Sequence, residues 1–262
     1  MPRLIDPETS IHGAQWLTLH DGYFSDPTIA APLLKTVGEA VTASRPQVVV
    51  DLGGGTGFLL TELIRQGLVP TTIRLVCLDC SERQLCVAKH GRIRSVCCTL
   101  ADFRRCNIAQ GAERLIFMMR SVLHYFGREG LVQTLRHIRD QANEGELFVH
   151  QTASFANKEE ADCMNALYQR MRTAKWYPTV EELSGRMAAA GWSLGSISPA
   201  PILELTSDDL SKRYGLDGRD IASIREEMSQ RFGGMERVFR PVEAGFRAYL
   251  PYRIYTCVAS DR

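Results

Sequence analysis

The sequence predicts an α/β protein built on a parallel, doubly wound sheet. Three observations carry that reading. Between residues 47 and 152, short apolar runs alternate with amphipathic helical patterns, the rhythm of repeated βαβ units. The first run, residues 47–52, is continuously apolar with β-branched residues, as a strand covered by helices on both faces must be. The first run feeds a glycine-rich turn that opens a helix. With 262 residues, 45% hydrophobic and 23% charged, the chain has ordinary globular composition, which excludes disorder and collagen-like repeats.

The elements follow in order. Asp26-Pro27 opens a helix that runs to residue 44, where Arg45-Pro46 breaks it. Residues 47–52, QVVVDL, form the first strand. GGGTG follows, then FLLTELIRQG as a helix with Gly67 as its C-cap. Residues 73–78 are a second strand, and SERQLCVAKHG a helix capped by Ser81. Residues 95–99 and 114–119 are strands three and four, 128–142 an amphipathic helix, and 146–152 strand five. After residue 152 the rhythm slackens. Helices are expected over 158–172 and 179–190, the second with Thr179 and Glu182 spaced as a capping box. Residues 192–198 read as a sixth strand, and 206–238 carry charged helical patterns. Residues 246–259, FRAYLPYRIYTCVA, read as a last strand weakened by Pro251. The expected division is an N-terminal helical cap over 1–44 and a main domain over 45–262, with 153–245 supplying substrate-side helices and a lid.

Charge and composition narrow the function. The 31 basic and 30 acidic residues give a net charge of +1, so the whole-domain basic excess of a nucleic-acid protein is missing. No apolar run approaches the roughly 18 residues of a membrane span, and the N-terminus lacks the charged-then-apolar pattern of a secretory signal. A cytoplasmic protein with a small-molecule partner is expected, its oligomeric state open. Six of the eight cysteines lie between Cys77 and Cys106. They read as reduced thiols. Cys77-x-x-Cys80 resembles half a zinc site but has no second pair, so no metal is expected. The basic residues are 26 Arg and 5 Lys.

Four signals carry chemistry. The strongest is VVVDLGGGTG, with Asp51 ending the strand and Gly53, Gly54, Gly55 and Gly57 in the turn. Nicotinamide-binding turns place a glycine where this chain has Phe58, and no Gly-Lys-Ser/Thr of a P-loop follows. The turn still lets a ligand approach main chain closely, at a helix end whose N–H groups favour a carboxylate. The second signal is Asp79, 22 residues beyond Gly57, at the carboxyl end of the next strand and followed by Cys80. An acid there can accept from both hydroxyls of a ribose. The third is Asp102-Phe103 after strand three, a carboxylate and an aromatic face suited to adenine. The fourth is Arg120-Ser121-Val122-Leu123-His124-Tyr125 after strand four, at the crevice where open α/β sheets bind ligands.

Together these motifs make residues 45–152 resemble the class I S-adenosylmethionine (SAM)-dependent methyltransferases. DLGGGTG resembles the family's glycine motif, Asp79 its ribose acid, Asp102-Phe103 its adenine motif, and RSVLHYF its post-strand-four motif. The resemblance implies a Rossmann-like fold with a seven-stranded, mostly parallel sheet, helices on both faces and a helical lid or insertion. It also implies a last strand running antiparallel, which residues 246–259 could supply, and SAM as co-substrate. The implied SAM-binding set is Asp51, Gly53, Gly54, Gly55, Gly57, Asp79, Cys80, Asp102, Phe103, Arg120 and Ser121, with Tyr23 from a segment that could close over the crevice.

The methyl of a sulfonium is already activated, so the protein must hold the acceptor in line and exclude water. An oxygen or protonated nitrogen acceptor also loses a proton. His124 and His150, at the ends of strands four and five, are the candidate bases. Tyr23-Phe24 and Trp176-Tyr177 are aromatic pairs whose faces could attract a sulfonium, and Tyr177 joins the catalytic candidates. The expected activity is methyl transfer to an O or N of a small molecule, in secondary metabolism. Two alternatives use the same fold. One is a cyclase converting SAM to azetidine-2-carboxylate and methylthioadenosine; the other is an inactive SAM-binding subunit supporting a partner.

Overall fold

The computed structural model describes residues 19–87 and 91–261. A 3-10 turn over Leu19–Gly22 leads into α1 (Pro27–Ser44), which Asp26 caps by accepting from the Thr28 amide. The chain then alternates: β1 (Val48–Leu52), α2 (Phe58–Arg65), β2 (Arg74–Asp79), α3 (Glu82–Leu85), β3 (Ile93–Cys97), α4 (Arg105–Ile108), β4 (Leu115–Arg120), a 3-10 turn (Leu123–Phe126), α5 (Gly127–Asp140) and β5 (Leu147–Ala153). The second half holds α6 (Lys158–Arg170), α7 (Val180–Ala189), β6 (Trp192–Pro199), β7 (Leu203–Thr206), α8 (Ser207–Tyr214), α9 (Gly218–Phe232), β8 (Phe239–Val242), β9 (Gly245–Leu250) and β10 (Tyr252–Ala259).

The main sheet has the order β3-β2-β1-β4-β5-β10-β6. Strands β1 to β5 pair in parallel, and β10 runs antiparallel to both β5 and β6. The seven-stranded, mostly parallel sheet and its antiparallel strand match the implied fold. Strand order reverses between β1 and β4, and that switch point opens the crevice. Helices α1 and α2 pack one face around Val49, Leu75 and Ile116. Helices α5 and α7 pack the other around Val50, Phe117 and Trp192. Helix α1 is therefore a layer of the sheet's cover. The first 18 residues of the expected cap lie outside the described residues.

Two expectations change. The helix expected after Ser81 spans only Glu82–Leu85, and residues 246–259 are two strands. Pro251, without an N–H to donate, falls between them. Upstream, β9 joins β7 and β8 in a separate three-stranded antiparallel sheet; downstream, β10 enters the main sheet. The insertion expected to be helical therefore has a sheet of its own. That sheet, α6, α8 and α9 share a third core with Tyr23, Phe24 and Tyr177 at the carboxyl ends of the main strands.

Candidate functional site

The glycine turn is built by close approach. Gly53 and Gly55 both adopt left-handed φ, +72° and +54°, which costs a residue with a Cβ about 1–2 kcal/mol. A Cβ on Gly53 would lie 2.7 Å from Val122, and one on Gly55 2.4 Å from the Gln84 side-chain oxygen. The Gly53 and Gly54 amides donate to the Leu78 carbonyl, 2.7 and 3.1 Å away. Gly57 then caps α2. Asp79 closes the turn from β2: it accepts from the Gly55 amide at 2.9 Å and the Ser81 amide at 2.8 Å. Burial pushes the Asp79 carboxyl up, and these amides pull it back toward the charged form. The carboxylate is thus oriented at the strand end.

Asp51 is nearly inaccessible, 1% exposed, and neither of its carboxylate oxygens has a hydrogen-bond partner. Desolvation raises it to about 7, opposed by the Arg120 charge. Arg120, at the end of β4, lies between the Phe24 ring at 5.5 Å and the Phe58 ring at 5.4 Å, and one Nη donates to the Phe24 carbonyl. Its other Nη is buried without a partner. The residue keeps some exposed surface, but the guanidinium is enclosed, and burial lowers its pKa. A buried acid and a buried base with unmet hydrogen-bonding capacity, unless filled, are costly. They suit a zwitterion, ammonium toward Asp51 and carboxylate toward Arg120.

The adenine-side residues divide. Asp102 is exposed and accepts from the Thr99 hydroxyl at 2.6 Å. Phe103 is a correction: its ring is fully buried in the core, edge-on to Phe117 and His137. An aromatic beside an apolar sheet gains more from the core than from solvent, so only its main chain can face a ligand. Cys80 is an exposed residue beside Asp79; partial burial of its thiol, then the Asp79 charge, raises its pKa. All eight cysteines are free. Among the described residues no group of three or more His, Cys, Asp or Glu could hold a metal ion.

Past Arg120 the chain turns sharply. Ser121 has φ +61°, rare outside glycine. Its amide donates to the Gln151 carbonyl, and its hydroxyl is 2.5 Å from the Tyr252 hydroxyl. Tyr23 donates to the Pro201 carbonyl at 2.5 Å, and its ring lies 5.8 Å from that of Tyr252. His124 stacks on Tyr177 at 5.2 Å, with Tyr125 at 4.2 Å on its ring. Tyr177 is fully buried, which raises its pKa well above the phenol range, so it keeps its proton. Trp176 parts from it and sits between Arg128 and Arg186.

His150 is a second correction. Residues alternate along β5, so Gln151 reaches Tyr23 while His150 turns to the other face. There it lies between Phe148 and Tyr255, 5.0 Å from the latter and nearly parallel to it, with Nδ1 2.8 Å from the Thr152 hydroxyl. Desolvation lowers it to about 3. It is a neutral core imidazole, not brought together with the others.

Several residues at the crevice escaped the sequence reading. Tyr252 bonds Ser121. Lys175, 7% exposed, donates to the Tyr214 hydroxyl at 2.7 Å and lies against the Tyr125 and Tyr168 rings. Arg213 donates to the Tyr125 hydroxyl at 3.0 Å and approaches His20, which in turn reaches Asp209 at 3.5 Å. Burial first, then the Arg213 charge, lowers His20 to about 4 despite Asp209. One signal existed: Lys175 is one of only five lysines in an arginine-rich chain and stands directly before Trp176 and Tyr177.

Residues 49–145 match a family profile described as a methyltransferase domain. No curated protein matches the sequence. Among solved structures, a methyltransferase candidate of Bacillus halodurans C-125 is similar with a TM-score of 0.66 at 14% identity, over 88% of this chain and 98% of that one. The Burkholderia thailandensis 1,6-didemethyltoxoflavin-N1-methyltransferase, solved with that compound and S-adenosylhomocysteine, gives 0.54 at 16% identity, over 93% and 84%. An O-methyltransferase from neocarzinostatin biosynthesis, solved with S-adenosylhomocysteine and 1,4-dihydroxy-2-naphthoic acid, gives 0.50 at 16%, over 90% and 60%. Residues 49–145 thus match a methyltransferase-domain profile, and the chain has the fold of the class I SAM-dependent methyltransferases.

Proposed function

We propose that the protein is a SAM-dependent methyltransferase that modifies an oxygen or nitrogen of a small molecule in secondary metabolism. The observation that carries this is the set of three charged groups at adjoining strand ends: Asp51 on β1, Asp79 on β2 and Arg120 on β4. Their signs and order fit the ammonium, the ribose hydroxyls and the carboxylate of SAM. SAM supplies an electrophilic methyl whose leaving group is a neutral thioether. Asp79 accepts from the ribose, Asp102 from the adenine amino group, and the glycine turn leaves room for the ligand against main chain. Cys80 borders the adenine side, and Gly54 and Gly57 hold the turn. His124, enclosed by Tyr125 and Tyr177, takes the acceptor's proton. Tyr23 and Tyr252 wall the space between cofactor and acceptor and exclude water. The small molecules bound by the solved neighbours support this class, as does the balanced net charge. No described helix is long and apolar enough to cross a membrane.

A second reading draws on the tyrosine faces. Tyr23, Tyr177 and Tyr252 are the surroundings a sulfonium cation prefers, whether the methyl leaves or the methionine chain closes on itself. Incubation of the purified protein with SAM, alone and with an acceptor panel, separates the readings by the nucleoside formed. S-adenosylhomocysteine made only with an acceptor is expected. Methylthioadenosine with azetidine-2-carboxylate from SAM alone would overturn methyl transfer in favour of cyclisation. Tight binding without turnover would leave a non-catalytic subunit. His124→Ala is expected to lower kcat by about 100-fold, the low end for general base catalysis, with SAM affinity unchanged in calorimetry. Equal losses in both would make His124 a binding residue.

A further inference from the structure

One side chain at the strand ends has no place among the groups that suit SAM. Asp51 on β1 pairs in register with Met118 on β4, and Arg120, two residues along, pairs with Gln151 on β5. Residues paired across neighbouring strands share a face, so Asp51, Arg120 and Gln151 point the same way. Gln151 is wholly buried. Its Nε2 donates to the Tyr23 hydroxyl at 3.4 Å, and its Oε1 has no hydrogen-bond partner among the described residues.

The neighbouring bonds fix which end of the amide is which. A phenol has one proton to give. Tyr23 gives its own to the Pro201 carbonyl at 2.5 Å, so toward Gln151 it can only accept. The amide nitrogen therefore faces Tyr23, and the amide oxygen faces away from it. A buried carbonyl oxygen without a donor is costly to keep. Methionine would fill the same space without that cost.

The missing partner is a donor, and the surroundings narrow its kind. Arg120, the neighbour in register, donates to the Phe24 carbonyl instead and keeps its other Nη without a partner. Its charge opposes a second cation beside it, so the donor is a neutral N–H or O–H. The ammonium of SAM suits Asp51, which lies two strands away from β5, about 10 Å across the sheet. The Tyr23 and Tyr252 rings, 5.8 Å apart, favour a flat molecule. Tyr23 and Phe24 cover the group from the turn at Leu19–Gly22, where His20 and Asp21 both hold a left-handed φ of +53°. Strained backbone of this kind lowers the cost of lifting the cover to admit a ligand. With the cover closed again, Tyr23 holds the amide in the orientation described.

We propose that Gln151 Oε1 selects the acceptor by taking a hydrogen bond from a neutral N–H or O–H on a flat ring, such as a lactam N–H. This rests on the crevice being the SAM site. Calorimetry of the full chain tests both levels. S-adenosylhomocysteine is titrated first, then two pairs of equal shape into the saturated protein: 2-quinolone with coumarin, and indole with benzofuran. In each pair a ring N–H gives way to an oxygen that cannot donate.

The N–H member is expected to bind at least about tenfold tighter, the worth of one hydrogen bond whose loss strands a buried oxygen. Gln151→Met is expected to bring the members of each pair within about twofold. Its affinity for S-adenosylhomocysteine is expected to match the wild type, and its Tm to be no lower. Equal affinity within both pairs, or no N–H compound bound at millimolar concentration, overturns the Gln151 subsite alone. A preference that persists in Gln151→Met does the same. Weaker binding of S-adenosylhomocysteine by that variant gives the oxygen to the cofactor and overturns the subsite. A fall in its Tm of more than about 4 °C makes the amide a structural bond, with the same consequence. No binding of S-adenosylhomocysteine to the wild type overturns the cofactor reading and this proposal with it.

Discussion

The two sides of the crevice are built differently. The cofactor side uses main-chain amides and carboxylates that sit at strand ends, and its parts come from consecutive βαβ units. Asp51, the glycine turn and Asp79 span 29 residues and meet because β1 and β2 are neighbours in register. The opposite side, where the acceptor is proposed to bind, gathers His20, Tyr125, Tyr168, Lys175, Arg213 and Tyr252, which share no local pattern. They meet only because the insertion folds back on the carboxyl ends of β4 and β5. A site encoded by local geometry tolerates little change. One assembled from distant segments can be rebuilt without disturbing the sheet, which is how one fold serves many acceptors.

The largest effect expected of a single substitution therefore lies on the cofactor side. If Asp79 holds the ribose as proposed, Asp79→Ala removes two charge-assisted bonds to its hydroxyls, each worth about 1.5–3 kcal/mol. It also frees the Gly55 and Ser81 amides that the carboxylate holds. SAM binding is expected to weaken by roughly 100-fold or more, measured by calorimetry, with the circular dichroism spectrum unchanged. An affinity within threefold of wild type would break the contrast between the two sides at its strongest point.

Asp51 gives the next effect, and a sign. In the ligand-free protein its carboxyl is raised to about 7 by burial. A bound ammonium would draw that value down, so binding releases a proton. SAM affinity of the wild type is then expected to rise with pH as Asp51 ionises, up to pH 7. Above about pH 8 the ligand's own amino group begins to lose its charge. Asp51→Asn is expected to bind roughly tenfold more weakly at pH 7 and to flatten the rise. A wild-type affinity that is level between pH 5.5 and 7 would remove Asp51 from the ammonium. The same shift acts on folding. A carboxyl raised above its unfolded value favours the folded state at low pH, and that contribution is lost between about pH 4, where the unfolded carboxyl ionises, and pH 7, where the folded one does.

The same division decides what the sequence could show. The strands of the main sheet were legible from β-branched runs, and Asp79 from its distance to the glycines, because each signal sits within one βαβ unit. His150 misled because position along a strand gives its end but not its face. One residue along, Gln151 points to the crevice while His150 stacks on Tyr255. Phe103 misled for a related reason, since an aromatic after a strand serves the core as readily as a ligand. Residues 246–259 hid a change of sheet behind one apolar pattern. Only Pro251 marked it, because both strands on either side alternate in the same way. Lys175 and Arg213 had no partner in the sequence at all, because what gives them meaning is a tertiary surround of tyrosines.

The smallest effect tests the joint between the two sides. Ser121 holds a left-handed φ that costs about 1–3 kcal/mol for such residues, and its hydroxyl secures Tyr252. Ser121→Gly relieves the backbone but adds about 0.4–1 kcal/mol of unfolded-state entropy and leaves a buried phenol without its partner. These terms nearly cancel, so Tm is expected to move by no more than about 4 °C. Ser121→Ala keeps the strain and loses the same bond, so it is expected to be the less stable of the two by about 1 kcal/mol in chemical denaturation. Both variants release Tyr252 and are expected to lose turnover alike. If Ser121→Gly instead turns over at the wild-type rate, the Ser121–Tyr252 bond has no part in aligning cofactor and acceptor. The left-handed serine would then be strain without a use, which a fold under selection for stability has reason to shed.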